Sequence, residues 1–364
     1  MGKRLYSMDL IRVIAMVLVI IVHTKYYFFM PNAHSSIYAV LKVIGTVGVP
    51  LFVILTGYLM FDRNYEDEAY LKKYLSHNLL PLFTAYEFWN IAWNVLRYTH
   101  VVENPQKWSA VLKAAFFMGD TLSALWYLPM TIALYLGMPI LSMACHRIKS
   151  SCYQKILMIA LILSGTLIPS VAPIVALTGH KTAIHSVLRM NIFGASVWGE
   201  SVWMIYLLSG WAIYKGKLKP IKTSLLATVG TIVPLGIMYL IQHTNKYNVQ
   251  HYDFILVVIL SISTFELLTR TEYFLQNHEA MLPIISTISK ISFGVYMMHI
   301  FIGGGLFQLL KLCGLINPIG KIFSGPIGIA FYLTYIICII IIAQGIIVIF
   351  KKYNILRQYV FLMK

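Results

Sequence analysis

Hydrophobic residues along this chain occur in long runs that few polar residues interrupt. A helix needs about 20 mainly apolar residues to cross the hydrocarbon core of a bilayer, and ten segments approach that length. The pattern predicts an all-α fold, a polytopic bundle of about ten transmembrane helices. The predicted spans are 10–29, 43–60, 79–97, 125–145, 156–177, 196–214, 224–241, 252–269, 291–311 and 324–350.

Three local features refine this pattern. The segment 98–124 is more polar, and we expect a surface helix or a re-entrant segment there, on the outer side. The first apolar run leads into further spans without a small-residue cleavage site, so we expect it to stay in the mature protein. Gly57, inside the second span, is expected to let two helices approach closely, as small residues do in bilayers.

Composition supports a membrane protein with one domain. Of the 364 residues, 59% are hydrophobic and 12% are charged, whereas soluble domains carry about 25% charged residues. Apolar runs recur from one end to the other, which predicts a single integral membrane domain over 1–364 without an appended soluble domain. The four cysteines show no metal-ligand spacing, so neither a disulfide framework nor a metal site is indicated.

The formal charge of +16 fits a membrane-lipid partner better than nucleic acid. Basic residues of polytopic proteins gather in cytoplasmic loops beside anionic lipid. With the N-terminus inside, the inner segments hold eighteen of the 29 Lys and Arg residues and the outer segments hold ten. This bias predicts that both termini are cytoplasmic, and it explains the excess charge without a nucleic-acid partner.

The first span contains ionisable side chains. Arg12 and His23 are eleven positions apart, so on a helix they share one face and differ in height by about 16 Å. Asp9 precedes Arg12 by three positions and can pair with it near the inner end. The structural alternative is that Arg12 extends to the headgroups and His23 makes an interhelical hydrogen bond. The alignment of Arg12 and His23 on one face of the helix favours a functional role for both residues.

Other ionisable residues occur in later spans. Charges inside spans usually face a bundle interior or a water-filled cavity, so some of them are expected to line the same space as His23. Simple structural pairing or a wet helix face is an equally good interpretation for two of them, Glu87 and Glu266. The remaining two are Glu200, near the outer end of the sixth span, and His299, in the ninth.

Four segments carry a family resemblance. The first, "MDLIRVIAMVLVIIVHT", contains Arg12 and His23, and it is followed in order by "GVPLFVILTGYLMF", "LWYLPMTIALYLGMPIL" and "ISFGVYMMHIF". Together they resemble the acyltransferase-3 family, whose membrane proteins move acyl groups onto cell-surface sugars. The chain is most similar to the compact branch of that family. One departure is "YLKKYLSHNLLP", which offers Lys72, Lys73 and His77 where many members have two arginines.

The resemblance implies a membrane O-acyltransferase, most simply an O-acetyltransferase. The donor would be acetyl-CoA or another acyl-CoA from the cytoplasm, with no permanently bound cofactor. The acceptor would be a hydroxyl of an envelope glycan or of its lipid-linked precursor, at the inner or plasma membrane of a bacterial cell. His23 would act as general base or would carry the acyl group, while Arg12, oriented by Asp9, would contact the donor.

Further residues are assigned to substrate binding. Lys72 and Lys73 would attract the polyanionic CoA, although a topology signal is the simpler interpretation of these lysines. Trp126 would stack on a sugar, against the alternative of an aromatic residue at the membrane interface. Glu200 and His299 complete the predicted substrate-binding set.

Two other functions stay open at this point. Buried Arg, His and Glu side chains in ten spans also fit a proton-coupled transporter of a sugar or a lipid-linked glycan, which would need no CoA. A membrane sensor or assembly partner without catalysis fits less well, because it gives no reason for Arg12 and His23 to be aligned.

The topology can be tested with single cysteines. The loop 215–222 and the tail 351–364 hold eight of the eighteen inner basic residues, so both are expected to be cytoplasmic. We expect cysteines placed there, with the native cysteines replaced, to react with an impermeant thiol reagent only after cell lysis. Labelling of intact cells would overturn the ten-span topology.

Overall fold

The computed structural model describes residues 4–29, 36–98, 108–115, 125–171, 201–217, 252–315 and 326–363, with a few residues between 222 and 237. Within these ranges the regular structure is entirely helical, which confirms the all-α prediction. The α-helices, in chain order, are α1 Tyr6–Phe29, α2 Ser36–Thr46, α3 Gly48–Met60, α4 Glu68–Tyr74, α5 Leu80–Tyr98, α6 Trp108–Ala115, α7 Tyr127–Arg147, α8 Ser151–Ile162, α9 Ser201–Tyr214, α10 Ile255–Thr269, α11 Glu272–Gln276, α12 Leu282–Leu312, α13 Pro326–Phe350 and α14 Asn354–Tyr359.

Six helical segments of the described chain are long and apolar enough to cross a membrane, so the protein is a multi-pass membrane protein. Helices also occupy the predicted spans 79–97 and 252–269, and a shorter apolar helix, α9, occupies much of 196–214. Most of the predicted span 224–241 lies outside the described residues. The count of ten and the side of the termini stay predictions. The six segments are Tyr6–Phe29, Ile37–Met60, Tyr127–Arg147, Ser151–Val171, Glu279–Leu312 and Pro326–Phe350.

Two helical segments begin well before the predicted spans. The second span consists of α2 and α3, which meet at Val47, and it begins at Ile37 instead of residue 43. Helix α12 begins at Leu282, nine residues before the predicted start at 291, with a proline in its first turn. Proline is favoured at that position because its missing N–H would have no intrahelical partner. Hydropathy identifies only the apolar part of a helix. The backbone hydrogen bonds of these two segments begin earlier in the sequence, so the helices start before the apolar part.

The chain divides into two compact units, each assembled from separate stretches of sequence. The first unit comprises Met1–Asp62, His146–Ser289 and Phe307–Ile336. The second unit comprises Arg63–Cys145, Lys290–Leu306 and Ile337–Lys364.

In the first unit, α3 and α9 cross in close backbone contact. A Cβ atom at Gly57 would overlap the carbonyl oxygen of Leu207, and a Cβ at Gly210 would overlap the carbonyl oxygen of Ile54. The two glycines therefore face each other's helices reciprocally, which confirms the expectation for Gly57. Close approach of this kind is how helices gain packing energy in a bilayer, where lipid is as apolar as a leucine side chain.

The second unit is held together by aromatic packing. The ring centroids of Trp93 on α5 and Phe301 on α12 are 3.7 Å apart, with the rings nearly parallel. The indole N–H of Trp89 donates to the carbonyl oxygen of Val360, 3.1 Å away, and joins α5 to the C-terminal segment. The Tyr74 hydroxyl donates to the carbonyl oxygen of Tyr135 at 2.8 Å and joins α4 to α7.

The glycine crossing predicts a large effect of one methyl group. Gly57→Ala should lower the free energy of unfolding by about 1–3 kcal/mol, because the added Cβ meets backbone, which cannot rotate away. Thermal unfolding of purified protein in detergent would measure the loss. Gly345→Ala is the matched control, since a Cβ there meets nothing within 4 Å and alanine improves helix propensity. Equal unfolding temperatures for both variants would contradict the close crossing.

Candidate functional site

The N-terminal end of α1 carries a buried carboxylate with three side-chain donors. Asp9 is 4% exposed and accepts hydrogen bonds from Arg4 Nε at 2.7 Å, from Arg12 Nη1 at 3.1 Å and from Ser289 Oγ at 2.7 Å. The predicted pairing of Asp9 with Arg12 is therefore confirmed. Ionised groups tolerate burial only when they are paired and hydrogen-bonded, and this arrangement supplies both conditions.

The two arginines present positive charge at the surface. Their side chains are 43% exposed for Arg4 and 36% exposed for Arg12, whereas the shared carboxylate is buried. Two guanidinium groups on one carboxylate leave an excess of one positive charge. Guanidinium groups with unused donors are well suited to phosphate, which they bind through paired N–H groups.

A second carboxylate fixes the start of α1. Glu272 Oε2 accepts a hydrogen bond of 2.7 Å from the backbone N–H of Ser7 in the first turn of that helix. A carboxylate at this position satisfies an amide that has no intrahelical acceptor and complements the helix dipole. Burial opposes ionisation of Glu272, but the hydrogen bonds from Ser7 and Gln276 outweigh it and hold the pKa of the carboxyl below its ordinary value.

His23 lies about three turns after Arg12 on α1. Its Nδ1 is 2.9 Å from the carbonyl oxygen of Val19. A carbonyl oxygen can only accept, so Nδ1 carries the hydrogen and, in the neutral ring, Nε2 carries the lone pair. The atom of His23 able to take a proton or to attack a carbonyl carbon is therefore Nε2.

The helix around His23 is held in place by a neighbouring helix. The Tyr332 hydroxyl on α13 lies 2.9 Å from Thr24 Oγ1 and 3.1 Å from the carbonyl oxygen of Ile21. Phe28, one turn later, packs edge-on against Tyr332 and Tyr335, with centroid distances of 5.7 and 4.8 Å. These contacts fix the rotation of α1 and thereby the direction in which the imidazole ring points.

His299 belongs to the second unit, and its Nδ1 also contacts a backbone carbonyl oxygen of the preceding turn, three residues earlier instead of four. It is 1% exposed, and its Nδ1 lies 2.5 Å from the carbonyl oxygen of Tyr296. A row of rings joins it to the predicted residue Trp126. The centroid distances are 6.4 Å from Trp126 to Tyr127, 5.8 Å from Tyr127 to Tyr296 and 5.7 Å from Tyr296 to His299. The structure thus connects two residues of the predicted substrate-binding set within one unit.

The remaining predicted residues differ in their surroundings. Lys72 and Lys73 are exposed on α4, where Lys72 pairs with Glu68 at 2.7 Å. Glu266 pairs with Arg270 at 2.5 Å, which agrees with a structural role. Glu200 lies outside the described residues.

Glu87 lies on α5, which carries further buried polar residues. Among the described residues, neither its Oε1 nor the Nε1 of Trp93 has a hydrogen-bond partner, and both atoms are buried. Asn90 and Asn94, on the same side of α5, are also buried. A buried polar atom without a partner costs about 1–3 kcal/mol, so this part of α5 is suited to bound water or to a ligand hydroxyl.

The sequence interpretation missed a polar cluster at the ends of three helices. Asp62, just after α3, accepts from His146 Nε2 at 2.8 Å, from Lys215 Nζ at 2.6 Å and from Trp211 Nε1 at 3.4 Å. Partial burial opposes ionisation of Asp62, but hydrogen bonds from these three side chains outweigh it and hold the pKa of the carboxyl below its ordinary value. The partners are far apart in sequence, so no local spacing could have indicated them.

Arg4 and Ser289 were also missed. Arg4 lies before the predicted start of the first span, where a basic residue is fully explained by topology. Ser289 is 280 residues from Asp9 and has no sequence feature that marks it. The described residues contain no group of three or more His, Cys, Asp or Glu side chains placed to hold a metal ion.

Comparison with known proteins adds one finding. No curated protein and no solved structure matches the chain. A family model described as "Acyltransferase domain", that of the acyltransferase-3 family, matches residues 5–347. This range begins one residue after Arg4 and includes Asp9, Arg12 and His23. The chain therefore belongs to the acyltransferase-3 family of membrane acyltransferases.

Proposed function

We propose that this protein is an O-acetyltransferase of the cell envelope. It takes the acyl group from cytoplasmic acetyl-CoA, or a related acyl-CoA, and transfers it to a hydroxyl of a surface polysaccharide or its lipid-linked precursor. The observation that carries the proposal is the arrangement on α1, with arginines held by Asp9 at one end and His23 farther along the same helix. The proposed location is the inner or plasma membrane.

The donor binds at the Asp9 cluster. Coenzyme A carries several phosphate charges, and the exposed guanidinium groups of Arg4 and Arg12 offer the excess positive charge to receive them. Asp9, which accepts a hydrogen bond from Ser289, holds the two arginines in position, so less side-chain entropy is lost when the donor binds. Lys72 and Lys73 contribute long-range attraction, which Glu68 partly offsets.

His23 performs the transfer. Its Nε2 takes the proton of the acceptor hydroxyl, the hydroxyl oxygen attacks the thioester carbonyl carbon, and the C–S bond breaks as the tetrahedral intermediate collapses. The proton then passes to the departing thiolate of CoA. In the second route, Nε2 attacks the thioester carbonyl carbon, the C–S bond breaks and CoA leaves as its thiolate, so that Nε2 carries the acyl group. The acceptor hydroxyl then attacks this acyl group, the bond to Nε2 breaks, and the hydroxyl proton goes to the thiolate. The Nδ1 contact with Val19 orients Nε2 for either route.

The acceptor is assigned a glycan because of polar and aromatic groups in the second unit. The row of rings from Trp126 to His299 offers faces on which a sugar can stack. Glu87 and Trp93 each have a buried polar atom that a sugar hydroxyl can satisfy, since a hydroxyl both donates and accepts. Glu200 stays in the proposed acceptor set on its sequence alone.

The roles of His23 and Arg12 can be tested in cells. His23→Ala should lower transfer by about 10²–10⁴-fold, the usual contribution of a general acid or base, with unchanged protein abundance. Arg12→Lys should also lower it, because lysine keeps the charge but loses the planar fork. The measurement is alkali-labile acetate on envelope glycan.

His278→Ala is the matched control for His23. Its Nδ1 also lies near the carbonyl oxygen four residues earlier, at 2.8 Å from Phe274, but the residue is exposed and outside this site. Acetylation should be unchanged in that variant. Normal acetylation in both the His23 and the Arg12 variants would remove these residues from the mechanism.

Donor binding separates an enzyme from a transporter. Purified protein in nanodiscs should bind acetyl-CoA in isothermal calorimetry, and Arg12→Ala and Arg4→Ala should weaken the binding whereas His23→Ala should not. Added salt should weaken it too, because charges at exposed sites are screened within about 8 Å at physiological ionic strength. Asp9→Asn should weaken binding despite the gain in positive charge, since the arginines lose their anchor.

Lys311→Ala is the control for a general loss of positive charge. Lys311 is an exposed lysine in the last turn of α12 and should not affect binding. If the wild-type protein binds no acetyl-CoA at millimolar donor while proteoliposomes accumulate a sugar under a proton gradient, the transporter is the correct function.

A further inference from the structure

Two lysines lie beside one tyrosine ring near His23. Lys25, on α1, is 6% exposed, and its Nζ donates a hydrogen bond of 2.6 Å to the carbonyl oxygen of Val22. The same Nζ is 5.7 Å from the centroid of the Tyr38 ring on α2. Lys42, one turn later on α2, places its Nζ 5.9 Å from the centroid of that ring. Both ammonium groups therefore share one aromatic neighbour.

Neither lysine has an acidic partner among the residues that the structure describes. Within the described part of the chain, no Asp or Glu forms an ion pair with Lys25 or Lys42. Elsewhere the structure pairs its partly buried cations, as with Lys215 on Asp62 and Arg270 on Glu266. A buried ammonium is costly without an anion, and a ring face with one carbonyl oxygen replaces only part of its hydration.

The helix packing holds the lysines close to the proposed transfer site. Gly45 sits so near α1 that an added Cβ would lie 2.9 Å from the Cβ of Val22, the residue that receives the Lys25 hydrogen bond. Lys25 follows His23 by two positions on α1, so the two residues lie within one turn of the same helix. Positive charge is thereby concentrated beside the imidazole at the end of α1 opposite the Asp9 cluster.

We propose that Lys25 and Lys42 bind an anionic group, a phosphate or a carboxylate, that is part of the acyl acceptor. This inference rests on the proposed function and adds a property of the acceptor, because it states that the glycan or its lipid carrier is negatively charged near the acylated hydroxyl. Ammonium groups act as point charges with rotatable donors, so they accept either oxyanion. The anion supplies the counter-charge that the described residues do not.

Binding of small anionic sugars without any acyl donor tests this site. The probes are glucose 1-phosphate and glucuronate, with glucose as the neutral control, titrated by calorimetry into the full chain in phosphatidylcholine nanodiscs. We expect both anions to bind at least tenfold more tightly than glucose. Lys25→Gln and Lys42→Gln should each weaken anion binding about tenfold, whereas Lys311→Gln should leave it unchanged.

Three results distinguish this inference from its alternatives. Equal anion binding by the wild type and the Lys25→Gln/Lys42→Gln double variant would overturn the site. A second result is that the wild type loses anion binding in nanodiscs that contain phosphatidylglycerol, and that this lipid stabilises the wild type but not the lysine variants. That result would assign the lysines to a lipid headgroup and would overturn the acceptor assignment. Lys25→Arg keeps the charge and should keep binding, so loss in that variant contradicts the inference even if Lys25→Gln does not fold.

The proposed function fails by a different measurement. Absence of acetyl-CoA binding would reject the acyltransferase but would leave anionic-sugar binding intact. Loss of anionic-sugar binding alone would leave the donor site and the transfer step as proposed.

Discussion

A carboxylate buried among apolar helices is stable only when donors surround it, and the structure around α1 depends on how Asp9 meets this condition. Its three donors come from the segment before α1, from α1 itself and from the beginning of α12. A single buried group thus joins distant parts of the chain in the first unit. The same contacts decide where the guanidinium groups of Arg4 and Arg12 can lie.

The rest of the first unit follows from the need to satisfy every backbone group inside the bilayer. Helices achieve this internally, and they can then approach one another closely only where side chains are small. Gly57 and Gly210 allow α3 and α9 to meet, and Gly45 does the same for α2 and α1. Because α1 is packed along its length, the positions of Arg12 and His23 are fixed by the helix and not by flexible loops.

Sequence alone predicted the parts of this arrangement that depend on local spacing. The 3.6-residue helical period placed Arg12 and His23 on one face, and the three-residue separation of Asp9 from Arg12 predicted their ion pair, which the structure contains. Hydropathy found the helices but not their ends, because α12 continues past its apolar part. The count of ten spans stays a prediction, because most of the predicted span 224–241 lies outside the described residues.

Contacts between distant residues were beyond sequence reasoning. Ser289 on Asp9 and the cluster around Asp62 depend on how helices pack, and a single sequence does not encode that packing in any short pattern. Lys25 and Lys42 were counted only as outer basic residues. The structure shows why these two lysines are candidates for anion binding. Both ammonium groups lie near the Tyr38 ring, and neither has an acidic partner among the described residues.

Positive charge near both ends of α1 has a consequence for the proposed reaction. A polyanionic donor and an anionic acceptor repel each other in solution, so an enzyme that joins them must neutralise both charges and keep them apart. The arginines on Asp9 provide one such position at the N-terminal end of α1, and Lys25 of α1 with Lys42 of the neighbouring α2 provides the other near its C-terminal end. Arg12 and His23 differ in height by about 16 Å along α1, and under the proposed function the neutral, flexible arm of CoA carries the acyl group over this distance. Only the thioester and the acceptor hydroxyl, which carry no net charge, then need to meet at His23.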